Sequence, residues 1–230
     1  MRKNNSQNNK TNSLIIFLKH PKNGQVKTRL AKTTSQDFAT KFYKLCAEHI
    51  IQTIKEISDI NRFAFYSNQS EKKEVESWLG SDLLFMPQEG DDLGSRMKNA
   101  LNSVFSLGSE KVIIIGTDIP ELSKELLAEA FDYLDKNEVV LGPSKDGGYY
   151  LLGIKKIYRE LFDGIEYSTS SVLSDTIKRI KDLGLSYHLL PVLSDVDTEE
   201  DLIEWMGRSS NTSLKKEINL AYKSIQEKQL

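Results

Sequence analysis

Apolar residues in this chain fall into two recurring patterns. Short runs of β-branched, leucine or aromatic residues alternate with longer stretches in which apolar positions return every three or four residues. The first pattern marks strands, and unbroken runs such as Leu14–Leu18 and Val112–Ile115 mark strands buried on both faces. The second marks amphipathic helices. In chain order the patterns predict strands at Leu14–Leu18, Arg62–Ser67, Asp82–Pro87, Lys111–Asp118, Glu138–Gly142, Tyr149–Ile154 and Ser186–Leu190. Helices are predicted at Ser35–Ile57, Glu71–Leu79, Leu93–Phe105, Lys124–Leu134, Ser171–Leu183, Glu199–Met206 and Leu214–Ile225. Strands spaced by helices imply βαβ units. The expected class is therefore α/β, with a mainly parallel central sheet and helices on both faces.

Composition narrows this little. The chain has 230 residues, 39% hydrophobic and 28% charged, which suits one sizeable domain. That domain is expected over residues 13–207, behind a disordered Asn-rich tail at 1–12 and ahead of a helical extension at 208–230. The formal net charge of −2 gives no broad basic face, so no nucleic acid partner is expected. Cys46 is the only cysteine and reads as core filler, which excludes an intrachain disulfide. No apolar run approaches the roughly 20 residues of a membrane span, and the expected compartment is the cytoplasm.

Candidate chemistry gathers where predicted strands end. After Leu14–Leu18 comes KHPKNGQVKTRL, in which Lys19, Lys27 and Arg29 form a basic loop suited to phosphate oxygens. If extended, that loop would put Lys27 and Arg29 on one face. After Asp82–Pro87 comes QEGDDLGSRM, where Asp91 or Asp92 reads as a helix cap and Arg96 stands in the first turn, opposing the helix dipole. The strand from Lys111 runs into Gly116-Thr117-Asp118. Asp118 reads either as a cap for a helix beginning near Leu122 or as a ligand for a hard divalent cation. Further on, LGPSKDGGYYLLG places Asp146, Gly147 and Gly148 in a turn, and LSDVDTEEDL sets Asp195 and Asp197 two apart before a capping-box pattern at Thr198 and Asp201.

Together FLKHPKNGQVKTRL, GDDLGSRM, IIIGTDIPEL, VLGPSKDGGYYLLG, the Tyr167-Ser168-Thr169 patch and LSDVDTEEDL resemble a bacterial glycosyltransferase-like family of the GT-A nucleotide-diphospho-sugar transferase superfamily. A more distant similarity is to phospholactate and molybdenum cofactor guanylyltransferases. The resemblance covers roughly residues 14–205 and implies a single-domain Rossmann-like GT-A fold with nucleotide bound across the N-terminal half. It implies nucleotide or phosphate contacts at Lys19, Lys27, Arg29, Asp92 and Arg96, and a substrate-side loop at Gly147 and Gly148. A Mg²⁺ or Mn²⁺ ion is implied at Asp118, Asp195 and Asp197, and catalytic roles are expected for Asp118, Asp146 and Asp195. Two departures mark this chain: Asp118-Ile119-Pro120 stands where a DxD element is usual, and the first loop is not glycine-rich.

Three readings follow. The first is metal-dependent glycosyl transfer from a nucleotide-diphospho-sugar to an unidentified acceptor. The second is nucleotidyl transfer from an NTP to a phosphorylated small molecule with release of pyrophosphate. The third is nucleotide binding without catalysis.

Overall fold

β1 (Asn12–Leu18) is apolar along almost its whole length because it lies inside the sheet, with strands on both sides. It pairs in parallel with β2 (Ile60–Tyr66) on one side and with β4 (Lys111–Ile115) on the other. β3 (Leu84–Pro87) extends the sheet beyond β2 in parallel. On the far side of β4 lie β6 (Tyr149–Ile154), β5 (Val139–Pro143) and β7 (Tyr187–Leu189), giving seven strands in the order β3-β2-β1-β4-β6-β5-β7. β6 alone runs antiparallel, paired to both β4 and β5, so the sheet is mainly parallel as expected. This computed structural model describes residues 12–67, 69–210 and 212–226. The expected N-terminal tail lies outside these residues except for Asn12, which already pairs in β1.

Alternate side chains of the central strands enter opposite layers. Leu14, Ile16, Ile113 and Ile115 pack beneath α2 (Gln36–Lys55), α3 (Lys72–Leu79) and α5 (Lys124–Lys136). Ile15, Val112 and Ile114 face α4 (Leu93–Ser106) and α6 (Val172–Asp182) on the other side. Helices therefore cover both faces. A third cluster joins the N-terminal half of α2 to the short α1 (Thr28–Thr33), α7 (Glu199–Arg208) and α8 (Thr212–Gln226) around the fully buried Trp205. Cys46 is buried in it as core filler. No helix among the described residues is long and apolar enough to cross a membrane.

Three sequence expectations need correction. The loop after β1 is not extended: α1 begins at Thr28, so Lys27 and Arg29 do not share a strand face. The strand predicted over Lys111–Asp118 ends at Ile115, because both partners' ladders stop there and Gly116–Asp118 leave the sheet. Asp118 does not cap the next helix; Ser123 does, its hydroxyl accepting the Leu126 N–H at 3.2 Å.

Candidate functional site

The topology explains why chemistry scattered along the sequence meets in space. β1, β4, β5 and β7 end at one rim, and β6, being antiparallel, starts there. Chain direction reverses its drift between β1 and β4, the switch point at which open α/β sheets bind ligands. An open cavity of about 930 Å³ occupies this rim. Every residue assigned to the site from sequence lines it except Gly147. Gly116 also lines it, and a Cβ there would meet nothing within 4 Å.

Lys27 is the centre of the charge arrangement. Its Nζ donates to Asp197 Oδ1 at 2.7 Å and lies 2.9 Å from Asp118 Oδ1. The lysine side chain is only 3% exposed, whereas those of Asp118 and Asp197 are 50% and 37% exposed. Burial alone would lower the lysine pKa. The two carboxylates overcome that and hold it well above the usual lysine range. Neither Lys19, Arg29 nor Arg96 has an ion-pair partner among the described residues. Lys19 and Arg29 are exposed, while Arg96 donates Nε–H to the Gly90 carbonyl at 2.9 Å.

The three aspartates expected to hold a metal, Asp118, Asp195 and Asp197, all line the cavity. Among the described residues no group of three His, Cys, Asp or Glu side chains could hold a metal ion. Lys27 stands between Asp118 and Asp197, its ammonium against both carboxylates. Asp195 instead accepts a long 3.4 Å hydrogen bond from the Ser144 hydroxyl. Its carboxyl pKa is raised, first by burial and then by the nearby Asp197 and Asp146 carboxylates. This rim carries more negative than positive charge. That donor set suits a Mg²⁺-type ion held by one or two carboxylates and completed by phosphate oxygens and water.

The remaining residues have structural work beside any ligand role. Asp92 caps α4 in a reciprocal capping box with Ser95, its Oδ1 accepting the Ser95 N–H at 2.7 Å. Asp146 Oδ1 accepts the Gly148 N–H at 2.9 Å and so shapes the β5–β6 turn. Gly147 is not among the lining residues: at φ 90°, a Cβ there would meet the Ser170 carbonyl at 2.1 Å. This contact presses the β5–β6 turn onto the Tyr167–Ser170 segment, which also lines the cavity. The Tyr167 ring in turn lies over Gly94, where a Cβ would come within 2.2 Å.

Among the lining residues not assigned to the site from sequence, two hold its loops in place. Tyr43 accepts the Lys19 N–H at 2.8 Å and donates to the Lys19 carbonyl at 3.1 Å, pinning the basic loop to α2. Burial pushes its phenol up to about 12. Gln88 donates to the Phe65 carbonyl at 2.8 Å. In the sequence Tyr43 is one more apolar position on a helix face, and no local signal reveals its distant partner.

Asp195→Asn tests the electrostatics. A carboxyl whose folded pKa is raised contributes stability below its unfolded pKa, roughly 3.9, and loses it as pH rises through the folded value. At neutral pH the ionised Asp195 therefore opposes folding. In metal-free buffer the variant is expected to melt above the wild type at pH 7, with the gap closing towards pH 4. A lower melting temperature at pH 7 would refute the assignment.

Comparison with known proteins agrees with this architecture. A structure from Desulfovibrio desulfuricans G20, named provisionally as a nucleotide-diphospho-sugar transferase, is 30% identical and superposes with a TM-score of 0.87 over 94% of this chain and 98% of its own. The 2-phospho-L-lactate guanylyltransferase of Methanocaldococcus vulcanius is 28% identical over 123 residues, 52% of this chain and 54% of that one. The chain thus spans about half the length of that relative. The enzyme of the same name from Methanobrevibacter smithii is 25% identical over 207 residues, 87% of this chain and 88% of its own. A family model described as "uncharacterized protein conserved in bacteria (DUF2064)" matches residues 50–169. With that match covering more than half of its length, the chain belongs to the DUF2064 family.

Proposed function

We propose that this chain is a metal-dependent transferase acting on a nucleotide-activated substrate, and that it transfers a glycosyl group from a nucleotide-diphospho-sugar to a hydroxyl acceptor. The observation that carries the reading is one cavity, at the sheet's switch point, lined both by Lys19, Arg29 and Arg96, which have no ion-pair partner among the described residues, and by the Lys27–Asp118–Asp197 cluster. Cations without a carboxylate partner among the described residues suit a diphosphate, which Arg grips in bidentate fashion. Mg²⁺ or Mn²⁺ at Asp118, with Asp195 or Asp197, would add Lewis-acid screening of the leaving group.

The preference for a hydroxyl acceptor comes from the lining that the chain supplies from Ser144 onward. Ser144, Asp146, Gly148, Tyr149, the 167–170 segment and Asp195 line it without contributing a lysine or arginine. Lys145, the one basic residue of the β5–β6 turn, is paired with Glu204 at 2.7 Å instead. Carboxylates and hydroxyls suit a polyol better than a phosphate ester. In the proposed step Asp195 or Asp146 accepts the proton of the acceptor hydroxyl, the oxygen bonds to the anomeric carbon, and the sugar–diphosphate bond breaks to release nucleoside diphosphate.

Nucleotidyl transfer is the second reading, supported by the guanylyltransferase relatives. Product analysis with Mg²⁺ and a panel of nucleotide-sugars and NTPs separates the two. Free nucleoside diphosphate from a nucleotide-sugar is the expected product; pyrophosphate from an NTP would replace the first reading with the second.

A further inference from the structure

We propose that Lys27 is an internal counter-cation that closes Asp118 and Asp197 to a bare divalent ion, so that metal enters this site as a complex with a polyphosphate. The inference rests on the reading of the cavity as a polyphosphate site. Its geometry is specific. The ammonium lies inside, with a side chain 3% exposed, and the two carboxylates it bridges at 2.9 and 2.7 Å are the solvent-facing partners.

The backbone is built to hold it there. Lys27 adopts a left-handed conformation, φ 48° and ψ 44°, sparsely used by residues other than glycine, asparagine and aspartate. Such a conformer persists where its surroundings over-determine it, and it concentrates at functional sites. The surroundings here are Val26, 3% exposed, and Leu30, fully buried, which anchor the chain on either side. The Lys27 carbonyl also accepts the Ala31 N–H at 2.9 Å to open α1. An ordinary buried packing position would be filled at lower cost by an apolar side chain.

A bare cation approaching Asp118 and Asp197 must first displace the ammonium from them. Among the described residues Lys27 has ion-pair partners only in those two, so displacement would strand a buried charge. A polyphosphate changes the exchange. Its oxygens accept the ammonium while the metal it carries takes the carboxylates, and no charge is left unpaired. Lys27 thereby selects the metal–polyphosphate complex over either component.

Calorimetry with Mn²⁺ and inorganic pyrophosphate tests this without knowledge of the base or the sugar. Wild type is expected to bind Mn²⁺ alone weakly, and Lys27→Met to bind it about tenfold more tightly or better. Asp118→Asn added to Lys27→Met should abolish the gain, placing the ion at that carboxylate. Mn²⁺ with pyrophosphate should raise the melting temperature of wild type, and Mn²⁺ alone should not. Should Lys27→Met prove unfolded, Lys27→Gln and the wild-type melting series carry the same comparison. Equal Mn²⁺ affinity in wild type and the lysine variants would overturn the proposal, even if Mn²⁺-pyrophosphate binds. A gain in Mn²⁺ affinity with no binding of Mn²⁺-pyrophosphate by wild type would uphold the closure by Lys27 and sink the polyphosphate reading instead.

Discussion

Asp118→Asn is expected to lower turnover by about 10²–10³-fold, the range seen when one preorganised electrostatic group is removed from a reacting centre. The carboxylate sits half-exposed just beyond the end of β4, beside Lys27 and lining the cavity. Its loss removes both the proposed place for a divalent ion and one of the two carboxylates around the buried ammonium. The fold should survive, because Lys27 keeps Asp197 at 2.7 Å and the backbone carbonyl at 118 still accepts the Val196 N–H at 3.3 Å. A stability cost of about 1.5–3 kcal/mol is expected, as for one charge-assisted hydrogen bond. A folded variant with wild-type turnover would remove Asp118 from the chemistry.

The largest stability effect is expected at Trp205. This side chain is fully buried and packs α7 against α2 and α8. Truncation to Ala should cost about 3–5 kcal/mol, from lost transfer energy and the cavity left behind. At about 2–4 °C per kcal/mol for a chain of this size, the melting temperature should fall by roughly 6–20 °C. Trp205→Phe should cost much less, since among the described residues the indole Nε1 has no hydrogen-bond partner that the change would strand. The effect should reach the site as well. α7 begins at Glu199, directly after Asp195 and Asp197, with Thr198 and Asp201 closing its first turn in a capping box. Loosening that helix frees the segment on which both carboxylates are set. A drop under about 3 °C for Trp205→Ala would contradict the packing account.

The frame of the fold was legible because its signals are local. Leu14–Leu18 and Val112–Ile115 are continuous apolar runs, and only strands covered on both faces read that way. Asp146-Gly147 marked the turn between β5 and β6, and Thr198 with Asp201 marked the start of α7. What local pattern does not carry is pairing at a distance. Nothing in Tyr149–Ile154 says that β6 inserts between β4 and β5.

The site followed the same division. Strand ends identified the loops, and parallel topology brought them to one rim. The internal geometry of those loops was hidden. α1 is a six-residue helix, too short to show a period, and without it the left-handed turn at Lys27 has no sequence signature. A lysine read as a free phosphate ligand is in fact bound inward to two aspartates 91 and 170 residues away, at Asp118 and Asp197. Asp118 was equally ambiguous, because a lone aspartate before a helix resembles a cap until Ser123 is seen to cap that helix.

The central claim is that this rim binds a nucleotide through its phosphates with the help of a divalent cation. Isothermal titration of wild type with a panel of nucleoside diphosphates, in the presence of Mg²⁺ and again with chelator, tests it most directly. The expected result is saturable binding of at least one nucleotide that is weakened tenfold or more by chelation and by Asp118→Asn. Binding that is indifferent to Mg²⁺ and to Asp118, or no binding across the panel, would contradict it.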